Sequence, residues 1–328
     1  MNSTVNEPGC SSQLNSTEGK VGQTFAYCLI LVLSLVGNSS IGIIVYRTQT
    51  MRKPINYFVT NMAMSDLLYS IFFFPHKIAL LYKGQSWLVG SGFGQAMCKL
   101  LPFLSDTSTI VSVQSLILIA VDRFGAVLFP LRSPLITPRL CPFFILATWV
   151  IAMAYQLPYL FVHKLVDYQG KLTCKMRWKE TFGDSSSLAN YFLAGFIVFI
   201  YLPIVLLAML YSKIFVKLRS QAHPGEQSTN AEEQRTRRNN SVLKMAIAIV
   251  LGFVICWVPF TVTLLLQLFA WNRSSIPCNA THYVTFTRFL AHTNCAINPL
   301  ICFTFSSNYR QGLKKLIHCF SSAAVLPA

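Results

Sequence analysis

Asp66 stands in the run Asn61-Met-Ala-Met-Ser-Asp66, inside the apolar stretch 57–81. An ionisable group at that depth of a bilayer costs at least ~2.5–3.5 kcal/mol on insertion scales, so it needs a reason to be there. Ser112, Asn294, Asn298 and Asn38 lie in three other apolar stretches and converge on Asp66 if the stretches form one bundle. A carboxylate ringed by hydroxyl and amide oxygens suits a hard cation, and Na⁺ fits such a donor set. A polar network gluing helices together around a protonated Asp66 suits the same residues equally well. Asp122-Arg123 is an adjacent acid and base ending another apolar stretch. Taken alone, that pair reads equally as two interfacial anchors.

Ten cysteines are present. Cys28, Cys141, Cys256, Cys295 and Cys302 lie in or at the edges of apolar stretches and read as buried thiols. Cys98 opens one stretch and Cys174 lies in the long loop 163–188 on the same side. On an oxidising outer face these two are the strongest disulfide pair, tying the loop over the mouth of the bundle. Cys10 and Cys278 can pair by elimination, and nothing in the spacing decides whether they do. Cys319, beside a basic amphipathic segment, suits palmitoylation.

Seven stretches are long enough to carry these residues across a bilayer, which takes roughly 20 apolar residues at ~1.5 Å rise each. They are 25–46, 57–81, 98–129, 141–162, 189–216, 242–268 and 282–305. The composition agrees: of 328 residues 53% are hydrophobic and 12% charged, where soluble domains carry about 25% charged residues. The expected fold class is an all-α membrane protein, a seven-transmembrane helix bundle over 25–305 with a short amphipathic eighth helix over 306–320. In that last segment Tyr309, Leu313, Leu316, Ile317 and Phe320 fall on one side and Arg310, Lys314, Lys315 and His318 on the other, as in a helix lying on a membrane surface. A soluble helix packed on the bundle is the alternative. Residues 1–24 read as an extracellular, glycosylated segment with sequons at Asn2 and Asn15, and 321–328 as a short cytoplasmic tail. No basic segment precedes the first apolar run, so no cleavable signal peptide is expected.

A net charge of +16 would suit nucleic acid, but no basic arm, zinc-ligand spacing or RNP-like motif accompanies it, and no nucleic-acid partner is expected. Anionic lipid at an inner face accounts for the charge better. With the N-terminus extracellular, sixteen of the 27 lysines and arginines collect inside, as multi-pass proteins of the plasma membrane require. The sequons at Asn272 and Asn279 then also face outward. The lack of an internal repeat speaks against a secondary transporter. Asp66 and Asp122 lie at different depths and cannot pair as catalytic carboxylates, so no enzyme is expected.

Pro75, Pro158, Pro203, Pro259 and Pro299 fall inside five of the stretches. Each removes a backbone hydrogen bond: Pro259 frees the carbonyl of Ile255 and Pro299 that of Cys295. Such kinks serve as fixed structure or as hinges, and membrane helices tolerate them where neighbours satisfy the freed group.

In order along the chain stand Gly37-Asn38, Asp66, Cys98, Asp122-Arg123-Phe124, Pro130-Leu131, Trp149, Pro203, Tyr211, Phe253, Cys256-Trp257-Val258-Pro259 and Asn298-Pro299-Leu300-Ile301-Cys302. Jointly, over about 25–320, they resemble the rhodopsin-like (class A) G-protein-coupled receptors. The resemblance implies that Asp66, Ser112, Asn294 and Asn298 form an inhibitory sodium site, with Na⁺ as an allosteric ion and no other cofactor. It makes Trp257 the floor of a ligand pocket and Phe253 its relay. Arg123, paired with Asp122 at rest, turns on activation to meet Tyr211 and a heterotrimeric G protein, with Pro259 as the hinge and Pro299 as a second switch element. Two departures stand out. Cys302 occupies the place of a usual tyrosine, and Asn239 that of an acid that clamps Arg123 in many relatives.

The ligand class follows less directly. Span seven holds no lysine for a retinal Schiff base; its polar residues at pocket level are Arg288 and His292. Amine receptors carry an aspartate where this chain has Ser105, and Asp106 follows one residue on. Asp106 either meets a cationic ligand group or pairs with Lys77 or Lys99. The long loop 163–188, Pro75, the His76-Lys77 pair and the run Leu128-Phe-Pro-Leu-Arg132 resemble the neuropeptide branch, which includes the tachykinin, galanin, orexin and RFamide receptors. That resemblance implies an extracellular peptide ligand, with an amine or lipid as alternatives. Only Ser321 and Ser322 follow Phe320 as phosphorylation sites, so arrestin is expected to bind the tail weakly.

Overall fold

The computed structural model describes residues 16–84, 86–87, 89–129, 134–168, 170–221, 230–270 and 278–324, with side chains for all of these but 220–221, 230–239, 278–279 and 320–324. Helix α1 covers Thr17–Arg47. It starts earlier than hydropathy indicates because Ser16 caps it: the Ser16 hydroxyl accepts from the Gly19 N–H at 3.1 Å, and Glu18 sits in the first turn. Both features favour a helix start whatever the burial. Helix α2, Pro54–Lys83, begins on a proline whose missing N–H is harmless there, and runs through Pro75. Helix α3, Ser91–Leu128, contains Pro102, an interior proline beyond the five expected.

The fourth stretch breaks at Leu157 and Pro158 into α4, Cys141–Gln156, and α5, Tyr159–Val162. Strands β1, His163–Tyr168, and β2, Lys171–Met176, then form an antiparallel hairpin with Leu165 opposite Cys174. Gly170, at φ +73°, supplies the left-handed residue its turn needs. The short α6, Trp178–Phe182, leads to α7, Leu188–Phe196, a π-helical turn at Ile197–Tyr201, and α8, Leu202–Gln221. That wide turn lies just before Pro203, whose ring cannot share space with the carbonyl four residues back, so the backbone widens to relieve the clash. Helix α9, Asn230–Leu265, contains Pro259 and ends in a second π turn at Leu266–Ala270. Helix α10, Cys278–Phe305, contains Pro299, and α11 covers Ser307–Ala324.

Five segments are long and apolar enough to cross a membrane: Thr17–Arg47, Ser91–Leu128, Cys141–Val162, Leu188–Arg219 and Asn240–Ala270. Helices α2 and α10 have the length but are more polar, and their polar side chains turn inward: Ser65, Asp66, Ser70, Asn294 and Asn298 are all buried. The apolar residues that remain exposed lie on the outside of the bundle at helical spacing. Phe25, Leu29, Val32 and Val36 line α1, and Leu202, Val205 and Met209 line α8. An exposed apolar stripe facing away from the core is what lipid tails contact. Cys28 shares that exterior and is exposed, contrary to the expectation of a buried thiol; Cys141, Cys256, Cys295 and Cys302 are buried as expected.

Helix α3 occupies the centre and touches α2, α4, α8 and α9, while α1 packs on α2 and α10. Phe58, Ile119, Leu207 and Ile249 are almost wholly buried between them. Helix α11 folds back onto the bundle through Tyr309, Leu316 and Gly312, whose missing Cβ leaves room for Ile44.

Candidate ligand cavity, polar core and arginine end

At the hairpin end the helices open into a cavity of about 350 Å³. Its wall is largely aromatic, including Phe73, Tyr155, Tyr159, Tyr191, Phe199 and Phe260, with Trp257, Ser105, Asp106 and His292 also lining it. A second lobe of about 340 Å³ shares Phe73, Pro102, Ser105, Asp106 and His163 with the first and adds His76 and Lys77. The hairpin roofs both lobes. It is tied down by the Cys98–Cys174 disulfide, by Gln95, which donates to the His163 carbonyl at 3.1 Å and accepts from the Leu165 N–H at 2.8 Å, and by the Trp87 N–H donating to the Leu172 carbonyl at 2.6 Å. Burial pushes the His163 imidazole below its ordinary value, against a smaller opposing effect of the Tyr159 carbonyl. Farther out, the Lys164 ammonium at 2.7 Å holds the Glu180 carboxyl below the usual range.

The expected ligand residues distribute unevenly. Trp257 lines the deep lobe and stacks on Phe253, ring centroids 6.2 Å apart. His292 lines it too, but its Nδ1 is engaged by the Tyr69 hydroxyl at 2.7 Å. Lys77 sits 5.3 Å over the Phe73 ring and His76 lies 5.2 Å from Trp87. Arg288 lines neither lobe and donates instead to Gln267 Oε1 at 3.3 Å. Asp106 forms no ion pair with Lys77 or Lys99, which removes that alternative; the Tyr159 hydroxyl faces it.

Sequence reasoning missed the tyrosine clasp beside Asp106. Tyr155 and Tyr191 stack in parallel at 4.9 Å, and each hydroxyl donates to the other residue's carbonyl at 2.8 Å. Gly195 makes it possible, because a Cβ there would collide with the Tyr155 ring. The available signal was Gly195 one helical turn after Tyr191.

Midway along the bundle, Asp66 Oδ1 accepts from Ser112 at 3.2 Å and Oδ2 from Asn298 Nδ2 at 2.8 Å. Ser112 also meets Ser65 at 2.7 Å, and Ser65 donates to the Met62 carbonyl at 2.8 Å. Three contacts thus share two hydroxyl protons. A proton on the carboxyl would complete the chain, whereas the ionised carboxylate leaves lone pairs for a cation. Asn294 does not reach Asp66; its Oδ1 and that of Asn38 are buried with no hydrogen-bond partner. Buried amide oxygens without a partner, together with the Asp66 carboxylate, are the donor types a hard cation takes. Asn38 Nδ2 instead donates to the Cys295 carbonyl at 2.9 Å, with Ser34 Oγ 3.3 Å from it. That is the carbonyl Pro299 frees, and the neighbouring helix supplies its partner.

At the opposite end Arg123 binds Asp122 Oδ2 through Nε at 3.1 Å and Nη2 at 2.5 Å. The Tyr211 hydroxyl is buried with no hydrogen-bond partner, and Arg123 stays on Asp122. Ser241 donates to the Phe305 carbonyl at 2.5 Å, tying α9 to the end of α10. Trp149, Asn61, Ser115 and Thr148 link α4, α2 and α3 through the Asn61 amide. The sites at Asn2, Asn15, Cys10 and Asn272, and the side chains of Asn239, Cys278 and Asn279, lie outside the described residues. Cys319 is exposed.

A cavity under a disulfide-tied hairpin, a buried acid in mid-bundle and an arginine pair at the far end together define a helical receptor. Residues 37–301 match the family described as 7 transmembrane receptor (rhodopsin family), and the chain belongs to it. It is 30% identical over 300 residues to the RYamide receptor of Drosophila melanogaster, covering 89% of this chain but 62% of that protein. It is 27% identical over 302 residues to the QRFP-like peptide receptor of Branchiostoma floridae, covering 89% and 76%. Against Neuropeptide FF receptor 2 of Mus musculus the identity is 29% over 300 residues, covering 88% and 70%.

Proposed function

We propose that the chain is a plasma-membrane receptor, N-terminus extracellular, that binds an extracellular peptide and activates a heterotrimeric G protein. The observation that carries this is the two-lobed cavity beneath the hairpin, whose combined lobes exceed what a small amine fills; the names of the similar receptors support it. Trp257, Ser105, Asp106, His76, Lys77 and His292 are the contact residues, with Arg288 at the rim. Ligand entry favours the open bundle and shifts the population, with no covalent chemistry. Arg123 then leaves Asp122 for Tyr211 and the G protein while α9 pivots at Pro259 and α10 flexes at Pro299. Asp66, Ser112, Asn298 and Asn294 are the residues that would hold an allosteric Na⁺, a charge that favours the closed arrangement. Helix α11 lies on the inner membrane surface, anchored by a palmitoyl group on Cys319; arrestin finds few phosphates on the tail. Cys10–Cys278 is a second outer disulfide, and Asn2, Asn15, Asn272 and Asn279 carry glycans.

An amine is the second reading, favoured by Asp106 in the cavity. Screening amidated neuropeptides, amines and lipids on cells expressing the chain, with calcium and cAMP readouts, separates them. A peptide is the expected hit; an amine or lipid as the sole activator overturns the peptide assignment.

A further inference from the structure

Asp106 is a carboxylate with an unfilled need. A carboxylate offers about four lone-pair sites, yet the groups around it are engaged elsewhere. Tyr155 and Tyr191 spend their hydroxyl protons on each other's carbonyls, so they present rings rather than donors. Among the described residues, only Tyr159 turns a hydroxyl toward the acid. The nearest candidate counter-ions do not supply a charge: Lys77 is seated on Phe73, Arg288 is held by Gln267, and among the described residues neither they nor Lys99 pair with Asp106. The acid nonetheless lines both lobes of the cavity. It is therefore reachable by a ligand, walled by aromatic rings, and short of a cation.

We infer that this corner of the cavity takes a guanidinium group of the ligand, held by Asp106 and flanked by Tyr155, Tyr159 and Tyr191. Guanidinium suits it better than ammonium for three reasons. Its planar fork meets a carboxylate through two parallel hydrogen bonds, and its faces stack on aromatic rings. It is also more weakly hydrated, so less is lost on entering a largely apolar wall. Tyr155, Tyr159 and Tyr191 all line the cavity together with Asp106, so aromatic carbon and the acid meet in one corner. The inference rests on the assignment of this cavity as the ligand site, and extends it from a ligand class to a chemical group.

The test uses the purified full chain in detergent and two probes of equal shape, (2-phenylethyl)guanidine and (2-phenylethyl)urea, with thermal stabilisation read as a function of probe concentration. The guanidine should bind at least about tenfold more tightly than the urea, the range expected for a hydrogen bond to a charged group. In Asp106→Asn the ratio should fall to near one, and in Asp106→Glu much of it should return. Equal stabilisation by both probes, or a preference for the guanidine that survives in Asp106→Asn, overturns the inference. Should Asp106→Asn fail to fold, Tyr159→Phe keeps the question open to measurement, since it removes the acid's one tyrosine donor and should leave the guanidine preference intact or larger. Because neither probe is a peptide, the outcome is independent of the peptide screen: guanidine selectivity with no active peptide spares this inference, and an active peptide with no selectivity spares that one.

Discussion

Gly37, Asn38 and Pro299 work as a set. A Cβ on Gly37 would lie 2.6 Å from Pro299 Cβ and 2.9 Å from its Cγ, and a proline ring has no rotamer by which to retreat. Gly37→Ala should therefore cost about 1–3 kcal/mol as overpacking. Asn38→Ala, which strips the freed Cys295 carbonyl of its closest donor, should cost about 0.5–2 kcal/mol. Both are measured as a lower Tm of the purified chain, and an unchanged Tm in either removes the account of how α10 tolerates its kink. Cys302 is fully buried. Cys302→Tyr should change ligand-free signalling, because it restores the tyrosine that the resemblance expects at that place; unaltered basal second-messenger output counts against it. At this scale the sequence was most informative where one side chain serves one partner. Asp66 with Ser112 and Asn298, and the carbonyl freed by Pro299, were legible because burial of polar groups demands partners. The tyrosine clasp was not, since its acceptors are main-chain carbonyls that carry no residue identity.

Helix ends and breaks depend on local chemistry that hydropathy does not register. Ser16 extends α1 and Pro158 splits the fourth stretch, whereas the spans themselves follow from apolar length. Cys98 and Cys174 place the loop 163–188 over the mouth of the bundle from sequence, and the disulfide is there; the loop's attachment through Gln95 and Trp87 involves backbone groups that no pattern announces. His163 gives the hairpin a pH dependence. Its folded value lies below the unfolded 6.5, so its contribution to stability is complete above about pH 6.5 and is lost as pH falls through the folded value. Thermal unfolding should therefore occur at lower temperature at pH 5.5 than at pH 7.5, and His163→Gln should flatten part of that difference. An identical slope in the variant assigns the effect to other groups.

On the proposed mechanism, Arg123 on Asp122, Tyr211 without a hydrogen-bond partner and α9 tied to α10 through Ser241 make up the closed arrangement. Asn239 stands where the resemblance places an acid that clamps Arg123 in many relatives, so on that mechanism the gap between closed and open should be small in this chain. Asn239→Glu should then lower basal G-protein activity in cells at equal surface expression; a rise, or no change, contradicts this picture of the resting state.

Helices α2 and α10 lack the hydropathy of the other five spans, and buried polar residues such as Asn61, Ser65, Asp66, Asn294 and Asn298 contribute to that. During biosynthesis such segments partition poorly into lipid by themselves and gain a stable place only when earlier helices offer them polar company. The polar contacts of Asp66 that join α2 to α3 and α10 in the finished bundle thus also make the delivery of these segments to the bilayer cooperative.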